Sequence, residues 1–148
     1  MGSRLDTQFK QAEDSPGFLL WQLSNKWQSQ QRAALQQFGL THVQFVLLAS
    51  LTFAAGKVQF TQKQLAAHAH TDAMMTSQVL RTLEKKGLVQ RQASTHDGRA
   101  FTITATAAGQ KKANQAVKAV EAVDARFFAV LPLPDQQRLL SIMRRLVG

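Results

Sequence analysis

The chain has 148 residues, 45% of them apolar and 18% charged, a composition that buries a core and excludes a disordered chain. Eighteen Lys and Arg against nine Asp and Glu leave a formal charge of +9, which favours a polyanionic partner, nucleic acid before an anionic membrane. The absence of cysteine excludes disulfides, thiolate zinc sites and thiol redox sensing. The length suits one domain. No apolar run approaches the roughly 18–20 residues that span a bilayer. The N-terminal stretch lacks the apolar centre of a signal peptide, so a cytoplasmic protein is expected.

From Gly17 to Gly39 apolar residues return at Leu20, Leu23, Trp27, Ala34 and Phe38, with polar Gln31 in one slot. This spacing predicts a long first helix, closed by Gly39. Thr41 followed by Gln44 is a capping box that opens a second helix, running to about Ala55 and ended by Gly56. Thr61 and Gln64 repeat the device for a short third helix through about Ala67. Asp72 is a good N-cap for a fourth helix, which ends at Gly87. The period then changes. Leu88, Val89 and Arg91, then Phe101 and Ile103, read as two strands joined by Ser94–Arg99, where Asp97-Gly98 signals a turn. Helical spacing returns from Thr106 to Val130, through Ala113, Ala116, Val117, Val120, Val123 and Phe127. Pro134 suits the first turn of a last helix carrying Leu139, Leu140, Met143 and Leu146. The expected fold is mainly α with a small β-hairpin: six helices, with a winged helix-turn-helix at the centre.

That order points to DNA. One α-helix, about 10–12 Å across, fits the major groove, about 12 Å wide. On the fourth helix Thr76, Val79, Leu80 and Leu83 share the side that would pack on Leu65 and Ala66 of the third. Met74, Ser77, Gln78 and Arg81 share the other. Gln matches adenine, Arg matches guanine, Ser serves a base or a phosphate, and Met touches a thymine methyl. At the hairpin turn, Asp97 would orient Arg99, whose guanidinium suits a narrow minor groove.

These residues, in this order, resemble the multiple-antibiotic-resistance regulator (MarR) family across almost the whole chain. The resemblance is carried by Leu40-Thr41 through Gln44-Phe45, Leu65-Ala66, Asp72, Leu83-Glu84 and Gly87-Leu88-Val89. Asp97-Gly98-Arg99 at the wing, and Thr106 with Gly109, complete it. It implies an obligate homodimer, with helices at 17–39 and 106–148 interleaved across a two-fold axis. The DNA-binding lobe is then 40–105, with its recognition helix at about 72–86 and its wing at about 88–105. The implied partner is double-stranded DNA with a pseudo-palindromic operator, bound as a repressor and released by a small aromatic or anionic effector. By position, the implied DNA contacts are Met74, Met75, Ser77, Gln78, Arg81 and Arg99. Thr61, Lys63 and Asp97 complete the expected interface.

Six positions depart from the family pattern. Met74 and Met75 stand where Ser or Thr is usual, which favours apolar base contact over phosphate anchoring. Gln78 replaces a frequent Arg and shifts preference towards adenine. His70 occupies a turn position that is commonly Gly, where a positive φ strains a side chain. Ala69 and Ala105 replace the usual Leu and imply a looser lobe.

His42, His68, His70 and His96 form no complete ligand set, so no metal is expected. With no nucleophile–base pair and no Gly-rich phosphate loop, the sequence offers no catalytic residue and no cofactor. Phe18, Trp21, Trp27 and Phe45 read as core or dimer contact rather than a ligand cage. An effector pocket would lie near Trp21, His42 and Phe45. A second function class stays open: a winged-helix protein-docking or dimerisation module without specific DNA binding. It requires a lobe that is not basic. Residues 57–99 carry seven Lys and Arg against three acids, although residues 110–148 are equally basic.

Overall fold

The computed structural model describes residues 4–93 and 101–148. Six α-helices and three strands follow in chain order: α1 (Pro16–Leu35), α2 (His42–Ala54), β1 (Phe60–Thr61), α3 (Gln62–Ala69), α4 (Ala73–Lys85), β2 (Val89–Ala93), β3 (Phe101–Ala105), α5 (Ala107–Phe128) and α6 (Leu133–Val147). The helix starts follow the caps read from the sequence. Thr41 and Thr61 each close a capping box, accepting from Gln44 N–H and Gln64 N–H at 3.2 and 3.1 Å. Asp72 accepts from Met75 N–H at 2.7 Å and Thr106 from Gly109 N–H at 3.0 Å, satisfying donors that a helix start leaves orphaned.

Two helix boundaries and the sheet differ from expectation. The first helix stops at Leu35 and tightens into a 3-10 turn, Gln36–Phe38, before Gly39 turns left-handed at φ 66°; tightening of this kind is common in last turns. The third helix runs on to Ala69. The hairpin is part of a three-stranded antiparallel sheet of order β1-β3-β2, in which Phe60 pairs with Ile103 and Thr61 with Thr102. Two residues are too few to show a strand period, which is why β1 escapes the sequence. The β2–β3 register runs from Val89 opposite Ala105 to Ala93 opposite Phe101. The expected turn, with His96, Asp97, Gly98 and Arg99, lies outside the described residues.

The core joins α2, α3, α4, the sheet and the first half of α5, through Leu47, Leu48, Leu65, Leu80, Leu83, Ile103 and Ala116. Gly109 marks its tightest approach. A Cβ there would lie 1.9 Å from the Leu88 carbonyl oxygen, because Thr106 is stapled to the same segment: its N–H donates to Leu88 O at 3.0 Å and its hydroxyl to Gly87 O at 2.7 Å. Only glycine lets α5 start this close to the wing. Ala105 is buried and borders a cavity of about 430 Å³ shared with Leu51 and Ile103.

A polar cluster bridges α1 and α5. Trp27 Nε1 and Gln31 Nε2 both donate to Asp124 Oδ1, at 2.7 and 2.8 Å. Gln31, the polar residue in the apolar stripe, is fully buried and also donates to Val120 O at 3.3 Å. By contrast α6 has no buried residue, and the first turns of α1 leave Phe18, Leu19, Leu20, Trp21 and Leu23 exposed. Among the described residues no single helix is long and apolar enough to cross a membrane.

Candidate nucleic-acid interface

The turn between α3 and α4 is locked from both ends. His70 takes the left-handed conformation, φ 54° and ψ 41°, with its N–H donating to Ala67 O at 3.3 Å and Thr71 N–H donating to Ala66 O at 3.0 Å. The position that the sequence flagged as strained for a side chain does adopt a positive φ, the only non-glycine to do so among the described residues. Thr76, fully buried, shares a 2.7 Å hydrogen bond with the Thr71 hydroxyl and donates to Asp72 O at 2.8 Å. The first turn of α4 is therefore fixed relative to α3 by polar contacts as well as packing.

The two faces of α4 are those read from the sequence. Thr76, Leu80 and Leu83 are buried and Val79 is half-buried, while Met74, Met75, Gln78 and Arg81 are exposed and Ser77 is half-buried on the outer side. Met74 at 72% exposure has almost no packing within the chain, so its thioether is free to meet an apolar surface such as a thymine methyl. Thr61 and Lys63 lie at the amino end of α3, Thr61 half-buried through its capping role and Lys63 exposed. Arg99 and Asp97 lie outside the described residues.

The basic side chains of this lobe divide in two. Arg91 on β2 pairs with Glu84 on α4 at 3.1 Å, tying the wing to the helix. Lys86 Nζ donates to Gly39 O at 2.8 Å and Gln44 Oε1 at 3.3 Å. Lys57 lies over the Phe53 ring, 4.8 Å from its centroid. Lys63, Arg81 and Lys85 form no ion pair or side-chain hydrogen bond with a described residue and remain available to an external anion. A sequence shows these charges alike, without showing which of them the fold already pairs.

The expected effector trio is not assembled around one space within the chain. Phe45 is in the core, and Trp21 is exposed on the uncovered stripe of α1. The indole beside His42 belongs to Trp27, edge-on at 4.9 Å between ring centroids. Trp21 and Trp27 are six residues apart, about 600° of helical turn, so they face different directions. Burial lowers the His42 pKa, with Arg32 acting in the same direction and Asp124 opposing. Among the described residues no group of three or more His, Asp or Glu could hold a metal ion.

Two short helices locked at a left-handed turn, followed by a β-hairpin whose second strand also pairs with β1, define a winged helix-turn-helix protein. Comparison with known proteins agrees. The model of the MarR family matches residues 40–101. An uncharacterised HTH-type transcriptional regulator, YdcH of Bacillus subtilis, is 45% identical over 125 residues, covering 83% of this chain and 84% of that one. An HTH-type transcriptional repressor of Mycobacterium tuberculosis is 36% identical over 136 residues, covering 91% of this chain and 96% of that one. Its crystal structure in complex with salicylic acid matches with a TM-score of 0.72 at 35% identity, over 92% of this chain and 99% of that one. The MepR–DNA complex of Staphylococcus aureus, at 20% identity, shares the fold with a TM-score of 0.81 over 90% of this chain and 96% of that one. The chain belongs to the MarR family of transcriptional regulators.

Proposed function

We propose that the protein acts in the cytoplasm as a homodimer that binds an inverted-repeat operator and represses transcription, by binding rather than catalysis. The observation that carries this reading is the division of α4. One face is buried in the lobe, and the other presents Met74, Ser77, Gln78 and Arg81 to solvent. A helix held rigidly by one face and bare on the other is what insertion into a major groove requires. Lys63, Lys85 and Arg81 then neutralise phosphates, which makes affinity steeply salt-dependent, and Arg99 takes the minor groove. The lobe is residues 40–105, and the helices at 17–39 and 106–148 form the dimer. Their uncovered apolar side chains on α1 and α6 support a second copy as the covering surface. Two recognition helices would then lie about 34–36 Å apart.

The mycobacterial relative bound to salicylic acid supports a small aromatic acid as the class of effector. It would release DNA by favouring a lobe spacing that does not fit the operator. The contribution of Trp21 to such a site would be made across the dimer, since within its own chain it stands apart from His42 and Phe45.

The test is the base-preference profile of the dimer and of single variants at fixed salt. Arg81→Ala and Arg99→Ala should each weaken operator binding by about 1–3 kcal/mol, Arg81→Ala also relaxing preference at one base step. Gln78→Ala should relax an adenine preference, whereas Lys63→Ala should weaken all sequences alike and lower the salt slope by about one. Unchanged profiles for both Gln78→Ala and Arg81→Ala would favour the docking-module reading instead.

A further inference from the structure

Lys86 is the C-cap of α4, and the chain beyond it is closed tightly. Gly87 sits at φ 73°, its N–H donating to Glu84 O and Leu88 N–H to Leu83 O, both at 2.9 Å. This closure, a Schellman motif, fixes the direction in which the lysine leaves the helix. Its ammonium crosses to the elbow between α1 and α2. There it donates to Gly39 O at 2.8 Å and to Gln44 Oε1 at 3.3 Å. Gly39 is the left-handed residue that ends the last turn of the first helix, its N–H donating to Gln36 O at 3.0 Å, followed by Leu40 N–H to Leu35 O at 3.4 Å. Gln44 Oε1 already accepts Thr41 N–H, at 3.1 Å, in the capping box of α2. One ammonium thus joins the carboxyl end of the recognition helix, the carboxyl end of the first helix and the amino cap of the second. A cation at a helix carboxyl end is favoured electrostatically as well.

Packing between α4 and α2 is apolar and non-directional, so it resists separation better than it resists rotation. The Lys86 bonds are directional and span the junction at which the lobe departs from α1. We propose that Lys86 is a positioning residue that fixes the angle of α4 against the first helix and so sets the half-site spacing that the dimer accepts. It is not a phosphate contact of the basic lobe. The proposal rests on the reading of the protein as a dimer on an inverted repeat.

The two roles separate experimentally, because a lost phosphate contact lowers the salt slope and a lost tie does not. The dimer is titrated with its selected inverted-repeat duplex and with duplexes whose central spacer is one or two base pairs longer or shorter, across a salt series. Wild type should lose about tenfold or more in affinity for a one-base-pair change, a penalty of the size of one mismatched base pair. Lys86→Met keeps the stem and removes the charge. It should bind the best duplex several-fold more weakly, with the salt slope unchanged and the spacing penalty reduced to about threefold or less. Lys86→Arg should restore much of the penalty. Gln44→Glu, which keeps the capping box and makes the lysine bond charge-assisted, should sharpen it. A salt slope lower by about one with an intact spacing profile would overturn the proposal in favour of a phosphate contact. So would a Lys86→Met profile indistinguishable from wild type, or a Gln44→Glu profile unchanged if Lys86→Met does not fold. A wild-type protein with no spacing preference would sink the operator reading itself, and the proposal with it.

Discussion

The winged lobe and the terminal helices are written in the same helical period, yet they end in opposite conditions. In the lobe the stripe closes on itself: Leu47, Leu48, Leu65 and Leu83 are completely buried. In α1 and α6 the stripe stays open, with Leu20, Trp21 and Leu146 at 63%, 67% and 80% exposure. Amphipathic periodicity therefore says that a face needs covering, and topology decides what covers it. The lobe closes its core within the chain, with Leu35 of α1 and Ala113, Ala116 and Val120 of α5 completing it. The first turns of α1 and the whole of α6 lie outside that core, and their apolar rows call for a second molecule.

Mutations should fall on different observables in the two regions. The largest effect is expected at the seam of the lobe: Gly109→Ala drives a Cβ into the Leu88 carbonyl and should cost about 3 kcal/mol or more, read as a collapse of the urea midpoint. Leu83→Ala should cost about 2–5 kcal/mol in the same measurement, through the cavity it leaves. Leu146→Asp should leave the lobe folded and instead raise the dimer dissociation constant by at least about tenfold in sedimentation. An unaffected dimer would mean that α6 is covered by something other than a second copy.

Smaller effects are expected in the cluster of Trp27, Asp124 and His42 that joins α1 to α5 and to the start of α2. Trp27→Phe removes the 2.7 Å bond to Asp124 and should cost about 1–2 kcal/mol of stability. The smallest is a pH effect at His42, whose pKa is lowered by burial. Because the folded state holds this imidazole less basic than the unfolded chain does, its contribution is complete above the unfolded value of about 6.5 and is lost as the pH falls below it. Urea midpoints should decline below that pH, and His42→Phe should make the decline shallower.

Much of this architecture was legible in the sequence because its signals are local. Four helix starts are announced by a side chain that caps its own third N–H, at Thr41, Thr61, Asp72 and Thr106, and three left-handed turns by glycine at 39, 56 and 87, with His70 the non-glycine exception among the described residues. The two faces of α4 follow from its own spacing. What escaped depends on contacts distant in sequence. β1 exists only because Phe60 lies beside Ile103. Asp124 matters only because Trp27 and Gln31 reach it from α1. That Trp27 rather than Trp21 packs on His42 within the chain likewise depends on how α1 meets α2.

The account stands most directly on the DNA itself. The decisive measurement is selection of fragments retained by the protein from the genomic DNA of its source, at near-physiological salt, with sequencing of what is kept. The account predicts a few enriched sites sharing an inverted repeat with half-sites about one helical turn apart, roughly 10–10.5 base pairs. Uniform, salt-sensitive retention without an enriched motif would contradict it, leaving a basic surface that binds backbone only.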